Sequence, residues 1–187
     1  MASPITHAVV AVSLGSAWYR SSADWRLLVW GVVCAEIPDA DVLGFWLGVP
    51  YGHLWGHRGI THSLLFACLF AVGVTYATGK QAEQRQQSRF SRWLYFYLAT
   101  ASHGLSDAVT NGGLGVAFFA PFDATRYFFP FQPVVVSPLG VGAFFSPIGV
   151  RVLISEAIWI WLPCVGFVGA TMMWRRRGGR SAKAVIL

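Results

Sequence analysis

Charge is scarce in this sequence. Charged residues make up 12% of its 187 residues, whereas soluble domains carry about 25%. Hydrophobic residues account for 55%, and the mean hydropathy is +0.53. A soluble domain of this length would need more charged groups on its surface, so the composition indicates an integral membrane protein. We expect one domain, residues 1–187, because the length suits a single core.

Paired cysteines and an N-terminal basic cluster are also lacking. Cys34, Cys68 and Cys164 are odd in number and far apart, which excludes a disulfide framework and a cysteine-rich zinc site. No basic residue precedes the first apolar stretch, and Arg20 comes after it. A cleavable signal peptide carries basic residues at its start. We therefore expect the apolar segments to remain in the mature protein.

Apolar runs separated by polar stretches predict the fold class. The runs cover residues 4–19, 25–37, 63–78, 93–109 and 152–174. The last run is clearly long enough to cross a hydrocarbon core of about 30 Å, and its single charge is Glu156. We predict an all-α, integral-membrane bundle of about five helices, with Ser3 as the N-cap of the first. Residues 113–150 are rich in Gly, Pro and Phe, which is typical of an exofacial loop region in the headgroup layer.

Basic residues predict the orientation. Arg20, Arg26, the loop 80–92 and the tail 175–187 contain 11 of the 14 basic residues. Together with Asp24, which lies between Arg20 and Arg26, these parts carry a net charge of +9, and the rest of the chain carries −3. Lys and Arg concentrate in cytoplasmic loops, so we predict a multi-pass protein of the cell inner membrane with a cytoplasmic C-terminus. Alternating the helices then places the His and Asp side chains at the outer face.

Histidine and aspartate occur in patterns that suit a metal site. His103 and Asp107 are four residues apart, which places both on one face of a helix. The motif His57-Arg58-Gly-Ile-Thr-His62-Ser63 puts two histidines beside a basic residue, just before a helix that Thr61 could cap. Each pattern also has a structural interpretation: a buried His–Asp hydrogen bond, or interfacial histidines beside a snorkelling arginine.

Other candidates join them at the same end of the predicted bundle. Asp39 and Asp41 follow the second helix, where a turn or helix cap explains two carboxylates as often as a metal does. His7 begins the first helix, and Glu156 lies near the start of the fifth. Glu156 is a candidate ligand, a candidate general base, or a partner of Arg151. Imidazole and carboxylate without thiolate suit zinc, with manganese and iron as alternatives.

These motifs resemble a known family. Their order along the chain is His7, Pro38-Asp39-Ala40-Asp41, HRGITHS at residues 57–63, and then His103 and Asp107. In this order the sequence resembles the YdjM-like family of inner-membrane metal-dependent hydrolases. The similarity runs from about residue 3 to residue 160, and HRGITHS is its most specific part. That family is grouped with zinc-dependent phospholipase C proteins and related nucleases, which are all-helical and cleave phosphodiesters.

The resemblance implies a set of metal ligands. It assigns ligation to His7, to Asp39 or Asp41, to His57 or His62, and to His103 and Asp107. The secreted phospholipases also use a His four residues before a Glu, whereas Val152 precedes Glu156 here. We therefore expect one or two divalent ions, with zinc first, instead of three.

The leading hypothesis for function is a membrane hydrolase that cleaves a phosphoester of a lipid or lipid-linked substrate with a metal-activated water. Arg58 would hold the phosphate, and Asp41 or Glu156 would accept the proton of the water. An acyl-chain route would be lined by aromatic side chains, or these side chains would anchor the loop at the interface: Phe118, Phe119, Phe128, Phe129 and Phe131.

The alternatives are a non-catalytic membrane protein with a structural metal or polar network and, ranked last, a metal or proton transporter. The basic residues flank apolar helices, so we expect no nucleic-acid partner, and the sequence leaves the oligomeric state open.

Overall fold

The computed structural model describes residues 1–18, 25–79 and 88–184, and within them the chain is helical with no β-strand. Six helices have ten residues or more, and two are short. The α-helices are α1 (Pro4–Gly15), α2 (Trp25–Glu36), α3 (Leu43–Trp46), α4 (Leu64–Ala77), α5 (Arg89–Ala108), α6 (Val141–Phe144), α7 (Pro147–Glu156) and α8 (Leu162–Ala184). The all-α prediction is therefore confirmed. Arg20 and residues 80–87 and 185–187, which the predicted orientation uses, lie outside the described residues.

Side-chain caps explain where several helices begin. The hydroxyl of Ser3 accepts a hydrogen bond from the backbone N–H of Thr6, and Pro4 occupies the first helical position, as predicted. Ser63 caps α4 in the same way by accepting from the N–H of Phe66. The expectation that Thr61 caps this helix is wrong, because its hydroxyl donates to Asp41 instead.

The bundle alternates in direction along the chain. Helix α5 lies antiparallel to α1 and α4 and parallel to α2, and the C-terminal helix lies parallel to α1. The α1 segment meets α5 at Ala2–Asp107 and Ala11–Tyr95, and the two ends of α4 meet it at His62–Gly104 and Thr78–Arg92. Helix α2 meets α5 at Ala35–His103 and Gly31–Tyr95. The C-terminal helix meets the α1 segment at Glu156–Ser3 and Thr171–Ser16. One end of the bundle therefore gathers the start of α1, the end of α2, the start of α4 and the end of α5.

The core between α1, α2 and α5 depends on a close approach around one tyrosine. Tyr95 is fully buried, and its hydroxyl donates to the backbone carbonyl of Ala11 over 3.1 Å. A Cβ atom at Gly31 would lie 1.9 Å from the Tyr95 hydroxyl oxygen, and one at Gly15 would lie 2.7 Å from it. Glycine at both positions is what lets the two helices pack against this side chain.

The C-terminal helix is the candidate membrane span. It is continuous from α7 through a π-helical turn, Ala157–Trp161, into α8, and residues Pro147–Arg177 are long and apolar enough to cross a bilayer. This confirms the candidate span predicted at residues 152–174, although the helix begins five residues earlier, at Pro147. Helices α1 and α4 are apolar but have only 12 and 14 residues, or about 18 and 21 Å. Full spanning by all five helices therefore stays a prediction.

Residues 109–146 contain little regular structure besides α6, as predicted for 113–150, although residues 147–150 already belong to α7. Residues 109–146 cover the end of the bundle where the histidines lie. Isolated bridges join Thr110 to Val134 and Val116 to Tyr127. The segment is attached to the neighbouring motif because Ala117 donates its N–H to the carbonyl of Arg58. Many aromatic side chains of this segment face outward, including Phe119, Phe122, Phe129 and Phe131.

Candidate metal centre

Five separate parts of the chain supply the histidines and aspartates of one cluster. His7 lies in the first turn of α1, and Asp39 and Asp41 lie in the 3-10 turn Ile37–Val42 that follows α2. His57 comes from the loop after α3, and His62 ends the 3-10 turn Ile60–His62 before α4. His103 and Asp107 lie in the last two turns of α5. The alternating helix directions place all of these positions at the same end.

Four ligand atoms form the centre of the cluster. Oδ1 of Asp39 lies 3.2 Å from Nε2 of His103 and 3.7 Å from Nε2 of His62. Oδ2 of Asp107 lies 3.7 Å from Nε2 of His62 and 4.0 Å from Nε2 of His103. Each of the four residues offers one ligand atom, and these atoms all lie within 4.8 Å of one another. One divalent ion could contact all four.

His7 adds a third imidazole, and a fifth side chain, to this centre. Its ring stacks on the ring of His103 with 3.7 Å between centroids, and its Nε2 lies 3.7 Å from Oδ1 of Asp107. Both ring nitrogens of His7 are buried without a hydrogen-bond partner among the described residues. The side chain is therefore placed as a fifth ligand or as a close neighbour of the ion.

Unpartnered buried polar atoms show that this donor set fits a cation. Nε2 of His62, Nε2 of His103 and both carboxylate oxygens of Asp39 lack a hydrogen-bond partner within the described part of the chain. Buried polar atoms are normally paired, because an unpaired one costs about 1–3 kcal/mol. A metal ion among these atoms would satisfy them together. Three imidazoles with two carboxylates suit zinc, manganese or iron.

The orientation of His103 supports ligation through Nε2. Its Nδ1 lies 2.6 Å from the backbone carbonyl of Ala35 at the end of α2. A carbonyl oxygen only accepts hydrogen bonds, so Nδ1 carries the proton, and Nε2 of the neutral ring has a free lone pair. Fixing the far nitrogen in this way is the usual arrangement for a metal-binding histidine.

Asp41 organises a second group beside the first. Its Oδ1 lies 2.7 Å from Nδ1 of His57, and its Oδ2 lies 3.2 Å from Nδ1 of His62. Oδ2 also accepts hydrogen bonds from the hydroxyl of Thr61 at 2.7 Å and from the N–H of Arg58 at 3.1 Å. Asp41, His57 and His62 could hold a second ion through their facing atoms. With one ion in the first group, Asp41 instead orients His62 from the other side of its ring.

The charges in the cluster shift the pKa values of its members. Burial alone would raise the pKa of Asp41, but hydrogen bonds from His57 and His62 hold it below its usual range. Burial likewise opposes ionisation of Asp39, yet the nearby His103 and His62 rings hold its pKa low. Burial would lower the pKa of His62, but the carboxylates of Asp39 and Asp41 raise it to about 9. The carboxylates thus favour a positive charge at the position where a metal would bind.

Arg58 is placed differently from the prediction that it holds a phosphate. Its side chain is fully buried, with Nε donating to Oδ2 of Asp107 at 2.9 Å. The other guanidinium nitrogens donate to the carbonyl of Gly112 at 2.8 Å and to the hydroxyl of Thr110 at 3.0 Å. Its backbone has a φ of 61°, a left-handed conformation that is unusual for arginine. These contacts make Arg58 a positioning residue for Asp107.

Glu156 does not join the ligand atoms of the cluster. Both of its carboxylate oxygens contact Ser3: Oε1 accepts the backbone N–H at 2.5 Å, and Oε2 accepts the hydroxyl at 2.6 Å. Arg151, considered above as its partner, is exposed. Glu156 thus attaches the C-terminal helix to the start of α1, one turn before His7.

Some supporting residues were not found from the sequence. Thr61 orients Asp41, Thr110 accepts from Arg58, and the carbonyl of Ala35 orients His103. Arg126 donates to the carbonyls of Tyr51, His53 and His57 and so holds the loop that carries His57. Only the position of Thr61 inside the HRGITHS motif could have indicated a role, because the other contacts join distant parts of the chain.

The fold and the site define a class: a helical protein with a candidate membrane span and a buried His/Asp cluster able to bind metal. Comparison with known proteins gives the family. The model of the YdjM inner membrane protein family matches residues 1–178, and the chain belongs to this family. It is 39% identical over 177 residues to the inner membrane protein YbcI of Escherichia coli K12, covering 95% of this chain and 100% of that protein. No solved structure gives a significant match. Both similarities support an inner-membrane location.

Proposed function

We propose that this protein is a membrane-bound, metal-dependent hydrolase that cleaves a phosphoester of a lipid or lipid-linked substrate. The observation that supports it best is the convergence, beside Asp107, of imidazole and carboxylate atoms of His7, Asp39, His62 and His103 that have no hydrogen-bond partner among the described residues. Buried ionisable groups in a membrane protein mark functional sites by default. The donor set is the kind that hydrolytic metal centres use.

The residues divide into ligands and supports. Asp39, His62, His103 and Asp107 would hold the first ion, with His7 beside them. Asp41, His57 and His62 offer a second place, which would compete with the first for His62 because a neutral imidazole has one free lone pair. A divalent ion bound there would lower the pKa of a water molecule towards about 7 and would neutralise charge on phosphate oxygens. Arg58, Thr61 and the carbonyl of Ala35 keep the ligands in position.

Asp39 is the most accessible side chain of the first group. It is 12% exposed, whereas His62, His103 and Asp107 are fully buried. Substrate would therefore reach the centre past Asp39. One oxygen of Asp39 would bind the ion, and the other would accept the proton of the attacking water, because neither has a hydrogen bond among the described residues. Asp41 is less suited to this step, since Thr61 and the Arg58 N–H occupy its Oδ2.

The membrane arrangement follows from the helix directions and the basic residues. Helices α1, α4 and α8 would run inward and α2 and α5 outward, so that the cluster lies at the outer face and the C-terminus is cytoplasmic. The exposed aromatic side chains of residues 113–150 would lie in the outer headgroup layer, where a lipid substrate would be delivered.

Metal analysis of detergent-purified protein tests the site. We expect about one or two zinc, manganese or iron ions per chain, and we expect His62→Ala and Asp107→Asn to lose them. His53→Ala is the matched control, because the His53 side chain is exposed and, among the described residues, bonds only to the nearby Trp55 N–H. Wild-type protein should then hydrolyse phospholipids or lipid phosphates, and the two ligand variants should not. A metal-free wild type that takes up no ion on reconstitution would refute the ligand assignment.

A non-catalytic centre is the second candidate, and the depth of the cluster favours it. His7, His57, His62, His103 and Asp107 have 4% exposure or less. A closed structural site binds metal without leaving a position for water. This candidate predicts a metal that dissociates only when the protein unfolds, together with the absence of hydrolysis across a panel of lipid phosphoesters.

A further inference from the structure

A cavity of roughly 720 Å³ opens between α4 and α5, away from the His/Asp cluster. Val72, Thr75, Tyr76 and Gly79 line it from the end of α4, and Arg89, Phe90 and Trp93 line it from the start of α5. Its size is within the range of about 300–1,000 Å³ that is usual for small-molecule pockets.

The cavity lies at the opposite end of the bundle from the metal centre. His62 contacts Gly104 at one end of the α4–α5 pair, whereas Thr78 accepts a hydrogen bond from Arg92 at the other. The length of α4 separates the two ends by about 20 Å. None of the residues lining the cavity contributes to the cluster, so the two sites are separate.

The lining is amphipathic. The walls are formed by aliphatic and aromatic side chains, and the guanidinium group of exposed Arg89 supplies positive charge at the edge. Residues 64–106 contain four basic residues against one acidic residue, Glu83, so this region carries a net charge of +3 with neutral histidine. Tyr76 and Phe90 are 71% and 67% exposed, as aromatic side chains at a membrane interface often are.

We propose that this cavity binds one acidic phospholipid of the cytoplasmic leaflet. Arg89 contacts the headgroup phosphate, and an acyl chain packs against Val72, Tyr76 and Trp93 between the two helices. Charge complementarity selects an anionic lipid over a zwitterionic one, because the cytoplasmic surface attracts basic side chains through its acidic lipids. A soluble anion would gain nothing from the apolar walls, so the structure favours a lipid.

Native mass spectrometry of the full-length protein in detergent micelles tests this proposal. The probes are dioleoylphosphatidylglycerol and dioleoylphosphatidylcholine, added separately, with bound lipids counted per chain. We expect one phosphatidylglycerol to bind about tenfold more tightly than phosphatidylcholine. Arg89→Gln should remove this preference. Val72→Trp should weaken binding of both lipids about tenfold, because the indole fills the cavity.

Two control variants match these changes. Arg151→Gln removes one exposed positive charge at the other end of the molecule. Gly73→Trp adds the same side chain one residue along α4, where a Cβ atom meets nothing within 4 Å. Both should bind phosphatidylglycerol like the wild type. All four variants should retain the wild-type metal content, which separates this test from that of the hydrolase.

Three results would each overturn the proposal. The first is equal binding of the two lipids by the wild type. The second is unchanged phosphatidylglycerol binding in either Arg89→Gln or Val72→Trp. The third is displacement of the lipid by free glycerol 1-phosphate at millimolar concentration, which would indicate a site for a soluble anion.

Discussion

Nε of Arg58 donates a hydrogen bond to Oδ2 of Asp107 over 2.9 Å, with both side chains fully buried. The other oxygen of Asp107 accepts the backbone N–H of Ala2 at 2.6 Å. The carboxylate is therefore held on two sides while Oδ2 also lies 3.7 Å from Nε2 of His62. Arg58 both balances the negative charge of the cluster and sets the direction in which Asp107 faces the candidate ion.

Replacing Arg58 should destabilise the protein strongly. Arg58→Gln leaves Asp107 buried without its charged partner, and breaking a buried ion pair in this way costs about 3–5 kcal/mol. Thermal unfolding in detergent measures the effect as a lower melting temperature. Arg151→Gln, which removes an exposed charge, should change stability by less than about 0.5 kcal/mol. Equal melting temperatures for the two variants would contradict the role given to Arg58.

Thr61→Val should weaken metal binding without abolishing it. The substitution keeps the shape of the side chain but removes the hydroxyl that donates to Oδ2 of Asp41. Loss of a group that supports a metal-bound histidine lowers metal affinity by about 10–100-fold. Competition with a chelator of known affinity measures it. Thr125→Val, at an exposed position, is the control and should retain the wild-type affinity. An unchanged affinity in Thr61→Val would show that the Thr61 hydroxyl does not support the site through Asp41.

Glu156→Ala should lower stability but retain the metal. The carboxylate binds Ser3 and no atom of the cluster, so its loss leaves the Ser3 N–H and hydroxyl without their acceptor, at a cost of about 3 kcal/mol. The double variant with Ser3→Ala should lose less than the sum of the two single effects, because the partners act as a pair. Loss of metal from folded Glu156→Ala would instead make Glu156 a ligand.

Labelling of single cysteines tests the orientation. Trp46 is 86% exposed at the end of the bundle that holds the cluster, and Arg177 is exposed near the other end. In a variant with the three native cysteines replaced by serine, Trp46→Cys should react with a membrane-impermeant maleimide on cells with a permeable outer membrane. Arg177→Cys should react only after the inner membrane is opened. The reverse result would place the cluster on the cytoplasmic side.

The helices themselves were largely predictable. The segments predicted at 25–37 and 63–78 correspond to α2 (Trp25–Glu36) and α4 (Leu64–Ala77). Continuous apolar runs bounded by polar residues determine such limits locally. The start of α5 at Arg89 was missed by four residues, because its first turn is amphipathic and carries Arg89 and Arg92. Whether α1 and α2 enter the bilayer depends on packing and lipid contacts, which the apolar pattern does not specify.

The candidate site was predictable in part. The sequence indicated His7, Asp39, His62, His103 and Asp107 as members of one cluster, and the structure brings them together. Their convergence follows from alternating helix directions, which the basic residues predicted. The partners of Arg58 and Glu156 were not predictable, since the contacts of these residues with Asp107 and Ser3 join positions 49 and 153 residues apart.

The sequence by itself determined that the protein is all-helical and which residue types gather at one end, because hydrophobic runs and charge asymmetry act locally along the chain. Only the tertiary structure decided which of these side chains face the candidate ion and which hold other residues in position. Packing of α1 and of the HRGITHS motif against α5 aims Arg58 at Asp107, and the C-terminal helix directs Glu156 to Ser3. Hydrogen bonds depend on distances of a few tenths of an ångström, and residue order along the chain does not specify such distances.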